Sequence, residues 1–383
     1  MTRARDVSRL ITTPPNIYAT DTETSSAGYL TNASASSIYQ TKALAQFAHR
    51  NLLINGAMQV AQRGTSVSSI TSGGYYTADR WNEAITTQGT WTISVENDAP
   101  TGSGFRKSLK MLCTTADASP AAGDNLQFFT TLEGQNLQQI KKGTAAAEQL
   151  TMSFWVKSNV TGTYIAELYD NDNARQTSKS YTVSASGVWE YKTITFAADT
   201  TGAFDNDNAL SLYVVFGLGA GSNFTSGTLQ TSWATATTAN RFVGQVNVAA
   251  ATSNYWQVTG VQLEVGDTAT PFEFKSVEDE LLECQRYFWR GFVAAGGVWG
   301  GSGGTVPLVS WPYPVKMRTA PTWAWISGGI ASNGNAGYTI IGTTTSAIQA
   351  DSALLGFTIS GSTGANTQGC AVYDSLNSFS AEL

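Results

Sequence analysis

The chain has 383 residues, with 22 Lys and Arg against 28 Asp and Glu, a formal net charge of −6 and a single histidine. Charged residues make up only 13% of it, about half the usual share of about 25%, while glycine and tryptophan are abundant. This length predicts two or three domains, the acidic balance without a dense basic cluster argues against nucleic acid, and one histidine starves Ser-His-Asp, Cys-His and zinc chemistry of side chains.

Residues 1–50 differ from the rest. Pro14-Pro15 favours extended chain, and residues 21–37 carry few large apolar side chains. Residues 37–50 are mildly helical, with Tyr39, Ala43, Leu44 and Phe47 toward one side. The segment reads as an attachment arm. No signal peptide and no apolar run of about 20 residues is present, so the protein is expected to be made in a host cytoplasm and not to insert into a membrane. Cys113, Cys284 and Cys370 lie far apart and define neither a disulfide framework nor a zinc site.

From residue 51 the pattern becomes that of strands. Leu52, Ile54, Met58 and Val60 read as buried, and Tyr76, Arg80 and Trp81 follow a tight bend. Residues 91–265 then carry one two-residue alternation after another, such as Leu150, Met152, Phe154 and Val156, or Leu210, Leu212 and Val214. Many short strands with Gly or Asn turns and no intervening helices predict an antiparallel sandwich. The alternation of Trp256 and Val258 slips by one at Gly260-Val261, which predicts a β-bulge. Ser276 is the expected N-cap of a helix with the stripe Val277, Leu281, Cys284 and Phe288, and with Arg286 and Arg290 suited to its C-terminal end. Beyond it, residues 291–383 read as a small glycine-rich β-domain.

The stretches NLLINGAMQVAQRGTS and YTADRW, and then VTGVQLEVGDTATPFEFKSVEDELLECQRYF, are similar to the opening and closing of a β-sandwich module of tail fibres and receptor-binding proteins of tailed bacteriophages. QLTMSFWVKSNVTGTY and YTVSASGVWEYKTITF resemble the middle of carbohydrate-binding-module jelly rolls, and YPVKMRTAPT looks like the start of the C-terminal domain that often follows. The resemblance implies a trimeric virion structural protein, docked to the tail by its N-terminal part and facing the host with its distal domains. The expected architecture is all-β: an extended attachment arm (1–50), an antiparallel jelly-roll β-sandwich (51–275), a short helical connector (276–290) and a small C-terminal β-domain (291–383).

Candidate chemistry is sparse. Asp79, Glu83, Glu133, Glu167, Asp170 and Glu190 are carboxylates of the type that cleaves glycosides, but their spacing singles out no pair. Two identical tetrads, residues 170–173 and 205–208, alternate Asp with Asn. Asp and Asn are favoured turn residues, and the turn reading is preferred. The alternative is a structural Ca²⁺ held by Asp170, Asp172, Asp205 and Asp207. Arg80-Trp81 with Arg63 reads as a structural stack. Tyr75, Tyr76, Trp189, Trp233 and Tyr255 lie in or beside the sandwich and offer ring faces to a sugar. In the last domain Trp299, Trp311, Tyr313, Trp323 and Trp325 are dense. Trp311-Pro312-Tyr313-Pro314 cannot be an ordinary central strand, so Trp299, Trp311, Tyr313 and Trp323 are the expected ligand contacts. The expected function is that of a non-enzymatic tail fibre binding a host surface polysaccharide or receptor. The rivals are a tail connector without host contact and a polysaccharide-degrading tailspike, although the β-helix repeat expected of the latter is not visible.

Overall fold

Alternation along the strands decides the layers. In the computed structural model, which describes residues 49–299, 309–332, 337–360 and 368–383, the apolar parity of each strand points into a space between two six-stranded antiparallel sheets. The segment expected to be an attachment arm (1–50) lies, up to residue 48, outside the described residues. The first sheet runs β1-β3-β4-β12-β6-β9, with β1 (Ser66–Ile70), β3 (Thr90–Glu96), β4 (Ser108–Thr115), β6 (Leu150–Ser158), β9 (Glu190–Phe196) and β12 (Tyr255–Val265). The second runs β11-β8-β7-β10-β5-β2, with β2 (Trp81–Thr86), β5 (Asn125–Glu133), β7 (Gly162–Asp170), β8 (Arg175–Val183), β10 (Leu210–Ala220) and β11 (Ala234–Thr235). This is the expected jelly-roll sandwich.

Its core is a chain of rings. Trp81 stacks on Phe128 with centroids 4.9 Å apart, Phe128 meets Trp256 at 5.5 Å, and Trp256 meets Phe216 at 5.3 Å. Phe216 then meets Phe154 at 5.0 Å, and all five are fully buried. Buried aromatics of this size dominate the hydrophobic stabilisation of such a core.

The bulge in β12 forms where the alternation slips: the pairing with β6 shifts register between Thr259 and Gln262, and Gly260 has φ 62°. The segment at residues 51–58 closes over it. Asn51 Oδ1 accepts from Leu263 N (3.0 Å) and its Nδ2 donates to Val261 O (3.2 Å), so a side chain serves backbone groups there. Gly56 lies so close that an added Cβ would fall 2.0 Å from Val261 O.

A short helix, α1 (Ser222–Thr225), follows β10, and α2 (Val277–Gln285) follows β12. Ser276 caps α2 as expected, accepting from Asp279 N at 3.1 Å. The predicted stripe needs correction. Cys284 is buried, but Val277 is 55% exposed, and Glu280 is buried in its stead, accepting from Asn55 N. Arg286 does not serve the end of α2: its guanidinium turns to Glu133, and Arg290 already belongs to the next strand.

That strand opens a third antiparallel sheet, ordered β13-β18-β15-β16-β17-β14. Its members are β13 (Phe288–Trp299), β14 (Val309–Pro312), β15 (Thr322–Ser332), β16 (Gly337–Ile348), β17 (Ser352–Ser360) and β18 (Gln368–Ser380). Pro312 ends β14, an edge strand, as its missing N–H requires. At the base of this sheet Trp289, Tyr313 and Phe379 pack together, and Ala381 N donates to Tyr287 O at 2.7 Å.

Candidate functional site

The parity that fills the core also sets what the second sheet shows outside. Where Phe128, Val214 and Leu168 point inward, their neighbours Phe129, Tyr213 and Tyr169 point outward. Tyr213 of β10 stands opposite Tyr169 of β7, and Val215 of β10 stands opposite Phe129 of β5. The three half-buried rings form one row across three strands, with centroids 5.5 Å apart for Phe129 and Tyr213 and 5.9 Å for Tyr213 and Tyr169.

One end of this face is roofed. The segment after β10 crosses the sheet and lays Phe224 and Phe242 over Ile165 and Val215. Gly217 makes room for it, since a Cβ there would fall 2.7 Å from the Phe242 ring. The same segment brings Arg241 down beside the rings. Its Nε and Nη2 donate to the fully buried Glu167 carboxylate at 3.0 and 2.5 Å, and Nη2 reaches Gln127 Oε1 at 3.5 Å. The guanidinium carbon lies 5.7 Å from the Tyr169 ring centroid. Burial pushes the Tyr213 hydroxyl above its ordinary range, reinforced by Tyr169, so the Tyr213 phenol acts here as a neutral hydrogen-bonding group at physiological pH. The result is an aromatic floor with a charge-compensated Arg-Glu pair, an amide and two phenols at one side. It can pack the C–H face of a pyranose ring and bond its hydroxyls.

The candidate carboxylates are held in separate partnerships. Asp79 is buried and bonded by Gln62, Glu133 by Arg286 and Tyr287, Asp170 by Lys142, and Glu190 by Lys192. Glu83 points into the core. Among the described residues neither of its carboxylate oxygens has a hydrogen-bond partner, and burial lifts its carboxyl well above the ordinary range.

The two Asp-Asn tetrads do meet, but as turns. Asp172 accepts from Asp205 N (3.0 Å), Asp207 from Ala209 N (2.9 Å), and Asn173 donates to Ala203 O (2.8 Å). The buried Lys142 ammonium binds Asp170 and Asp199 and donates to the carbonyls of Thr201 and Gly202. A cation site built on Asp170 is thus already filled by a side chain, and no group of three or more His, Cys, Asp or Glu suited to a metal occurs among the described residues.

The Arg80-Trp81 pair is structural, with one correction. Trp81 is fully buried and donates to Asn55 O, but Arg80 stacks on Tyr287 (3.5 Å) and pairs with Glu382. Arg63 lies 3.6 Å over the Phe288 ring. Of the ligand contacts expected in the last domain, Tyr313 is corrected: it is 7% exposed and packs on Trp289 and Phe379. Trp323 is half-buried and donates to Asn377 Oδ1 at 3.1 Å. The side chains of Trp299, Trp311 and Trp325 lie outside what is described. Trp233 donates to Ala197 O, and Tyr76 closes a local turn with Ser72. Sequence reasoning did not single out Phe129, Tyr169, Tyr213 or Arg241. The usable signal was an aromatic on the outward parity of three strands.

No family model and no curated protein matches this chain. Among solved structures it is similar to the enzymatically active domain of tailspike protein 4 of bacteriophage CBA120, at 14% identity and TM-score 0.31, over 56% of this chain and 21% of that one. The present chain therefore spans about a fifth of that protein. It is also similar to the family 11 carbohydrate-binding module of the cellulase Lic26A-Cel5E of Clostridium thermocellum (10% identity, TM-score 0.27, 56% and 94% covered). The C-terminal family 22 module of Clostridium thermocellum Xyn10B gives 12% identity and TM-score 0.28, with 54% and 98% covered.

Proposed function

We propose that this chain is a non-catalytic, glycan-binding tail-fibre protein of a bacteriophage virion, whose jelly roll holds a polysaccharide of the host surface. The observation that carries the binding is the row Phe129, Tyr213 and Tyr169, left half-open on the outer face of the second sheet beside the Arg241–Glu167 pair. The roof packs against Phe129 and Tyr213 on one side, and the ring surface left open in the row supports a ligand that stacks there. Here the flanking groups are hydrogen-bonding, not aliphatic. The partnerships of the carboxylates support the non-catalytic reading: Glu167, the one at the platform, accepts from Arg241 through both of its oxygens. The attachment arm anchors the protein to the tail, and a trimer multiplies weak single-site binding into avidity.

Affinity electrophoresis in gels containing surface polysaccharide from candidate host bacteria, with a reducing-sugar assay on the same mixtures, tests this reading. Retardation without sugar release is expected. Release of reducing ends would make the protein a depolymerase, and absence of retardation across the infected host's polysaccharides would sink glycan binding.

A further inference from the structure

The first sheet has an outer face too, and it is also furnished with rings. On β6 and β9, Trp155 stands directly opposite Tyr191, with ring centroids 5.3 Å apart. Tyr191 is 46% exposed on an edge strand. Trp189 lies two residues before Tyr191, so along an extended chain it is about 7 Å away on the same face. Its indole Nε1 donates to Asp98 at 3.2 Å, which fixes the ring. Asp98 also accepts from Lys157 Nζ (2.8 Å) and Gln257 Nε2 (3.2 Å), and Lys157 stands in register opposite Gln257 on β12. Three donors converge on one carboxylate that is itself 43% exposed.

From this arrangement we infer a second saccharide-binding site, centred on Trp155 and Tyr191 with Asp98 and Lys157 as hydroxyl partners, which takes a neutral polysaccharide chain. Two observations select a sugar over a protein. The exposed large apolar side chains near it are Tyr191 and Val188 alone among the described residues. Two such side chains fall far short of the roughly 800 Å² per partner that a stable protein interface buries. Charge is also matched locally: Lys157 faces Asp98, and Lys192 faces Glu190 at 2.7 Å. These two pairs leave no net charge beside the rings for a polyanion or a polycation. A neutral pyranose needs only a ring to pack on and paired donors and acceptors at its edge. This site goes beyond the platform on the second sheet and does not rest on it. With sites on opposite faces, one sandwich can hold two glycan strands at once.

The test uses the full chain in affinity gels containing xylan, mixed-linkage β-glucan, galactan, mannan or bacterial O-polysaccharide. Trp155→Ala, Tyr191→Ala and Tyr191→Phe are compared with Tyr213→Ala on the other face. The expected result is that at least one polysaccharide retards the wild type, that Trp155→Ala and Tyr191→Ala lose this at least about fivefold, and that Tyr191→Phe, which keeps the ring, restores it. Residual retardation of Tyr213→Ala, abolished when Tyr191→Ala is added, would establish two independent sites. Wild-type behaviour of Trp155→Ala and Tyr191→Ala alongside loss in Tyr213→Ala would overturn this site and leave the first. Loss in Tyr191→Ala with an unaffected Tyr213→Ala would do the reverse. A wild type retarded by none of the polysaccharides would overturn both.

Discussion

Tyr213 occupies the centre of its row, touching Phe129 on one side and Tyr169 on the other. Its own strand neighbours, Leu212 and Val214, are fully buried, so its outward position follows from parity. That parity was readable in the sequence, because Leu210, Leu212, Val214, Phe216 and Leu218 share one face. What was not readable is that β5, β10 and β7 would lie side by side, since strand order is set by long-range pairing and not by local pattern. Glu83 shows the opposite limit. It sits on the inward parity of β2, between Trp81 and Ile85, where an apolar residue is expected. Because burial lifts its carboxyl, the folded protein holds the proton more tightly than the unfolded chain. The stability this contributes is full below the unfolded value, about 4.3, and is lost as pH rises through the raised folded value. Glu83→Gln should therefore melt higher than wild type at pH 8, by a few degrees for roughly 1–3 kcal/mol, and like it at pH 4. Parallel melting curves for the two proteins across that range would refute the assignment.

At the scale of elements, the bulge in β12 was anticipated from one slipped alternation at Gly260. The partner of the bulge was not, because Asn51 acts through side-chain bonds to backbone more than 200 residues along the chain. Gly56→Ala should cost at least about 2 kcal/mol, in the overpacking range, since the new methyl would meet Val261 O at 2.0 Å. Urea unfolding that shifts by less than about 0.5 kcal/mol would show that the loop yields freely. The tetrads make a second case: their residue types suggested either turns or Ca²⁺, and only the structure reveals Lys142 between Asp170 and Asp199. Lys142→Met leaves Asp170 buried without its cation, while Asp199 keeps Arg175, and should cost roughly 3–5 kcal/mol. Chelator should leave wild-type melting unmoved, whereas a drop restored by Ca²⁺ would place a metal between Asp170 and Asp199 in the stead of the ammonium.

Across the whole molecule, the sandwich and the third sheet are tied by ions as well as by chain. Glu382 pairs with Arg80, which is 1% exposed, and with Arg63. Arg318 donates to the carbonyls of Ala381, Glu382 and Asn208. The compositional reading foresaw a helix carrying one β-domain on another. It did not foresee this clasp, because its members lie some 300 residues apart in the chain. Glu382→Ala leaves a buried guanidinium without its carboxylate. Limited proteolysis should then cut within residues 286–291 at lower protease concentration than in wild type, and an unchanged digestion pattern would show the clasp to be ornamental.

The central claim is that the row on the second sheet holds a glycan. Isothermal titration of the purified protein with host surface polysaccharide, beside Tyr213→Ala of unchanged circular dichroism, addresses it most directly. Loss of the ring should weaken binding about tenfold, the equivalent of about 1.4 kcal/mol and within the range of one aromatic contact. Equal affinity of the two folded proteins would contradict the account and move recognition off this face.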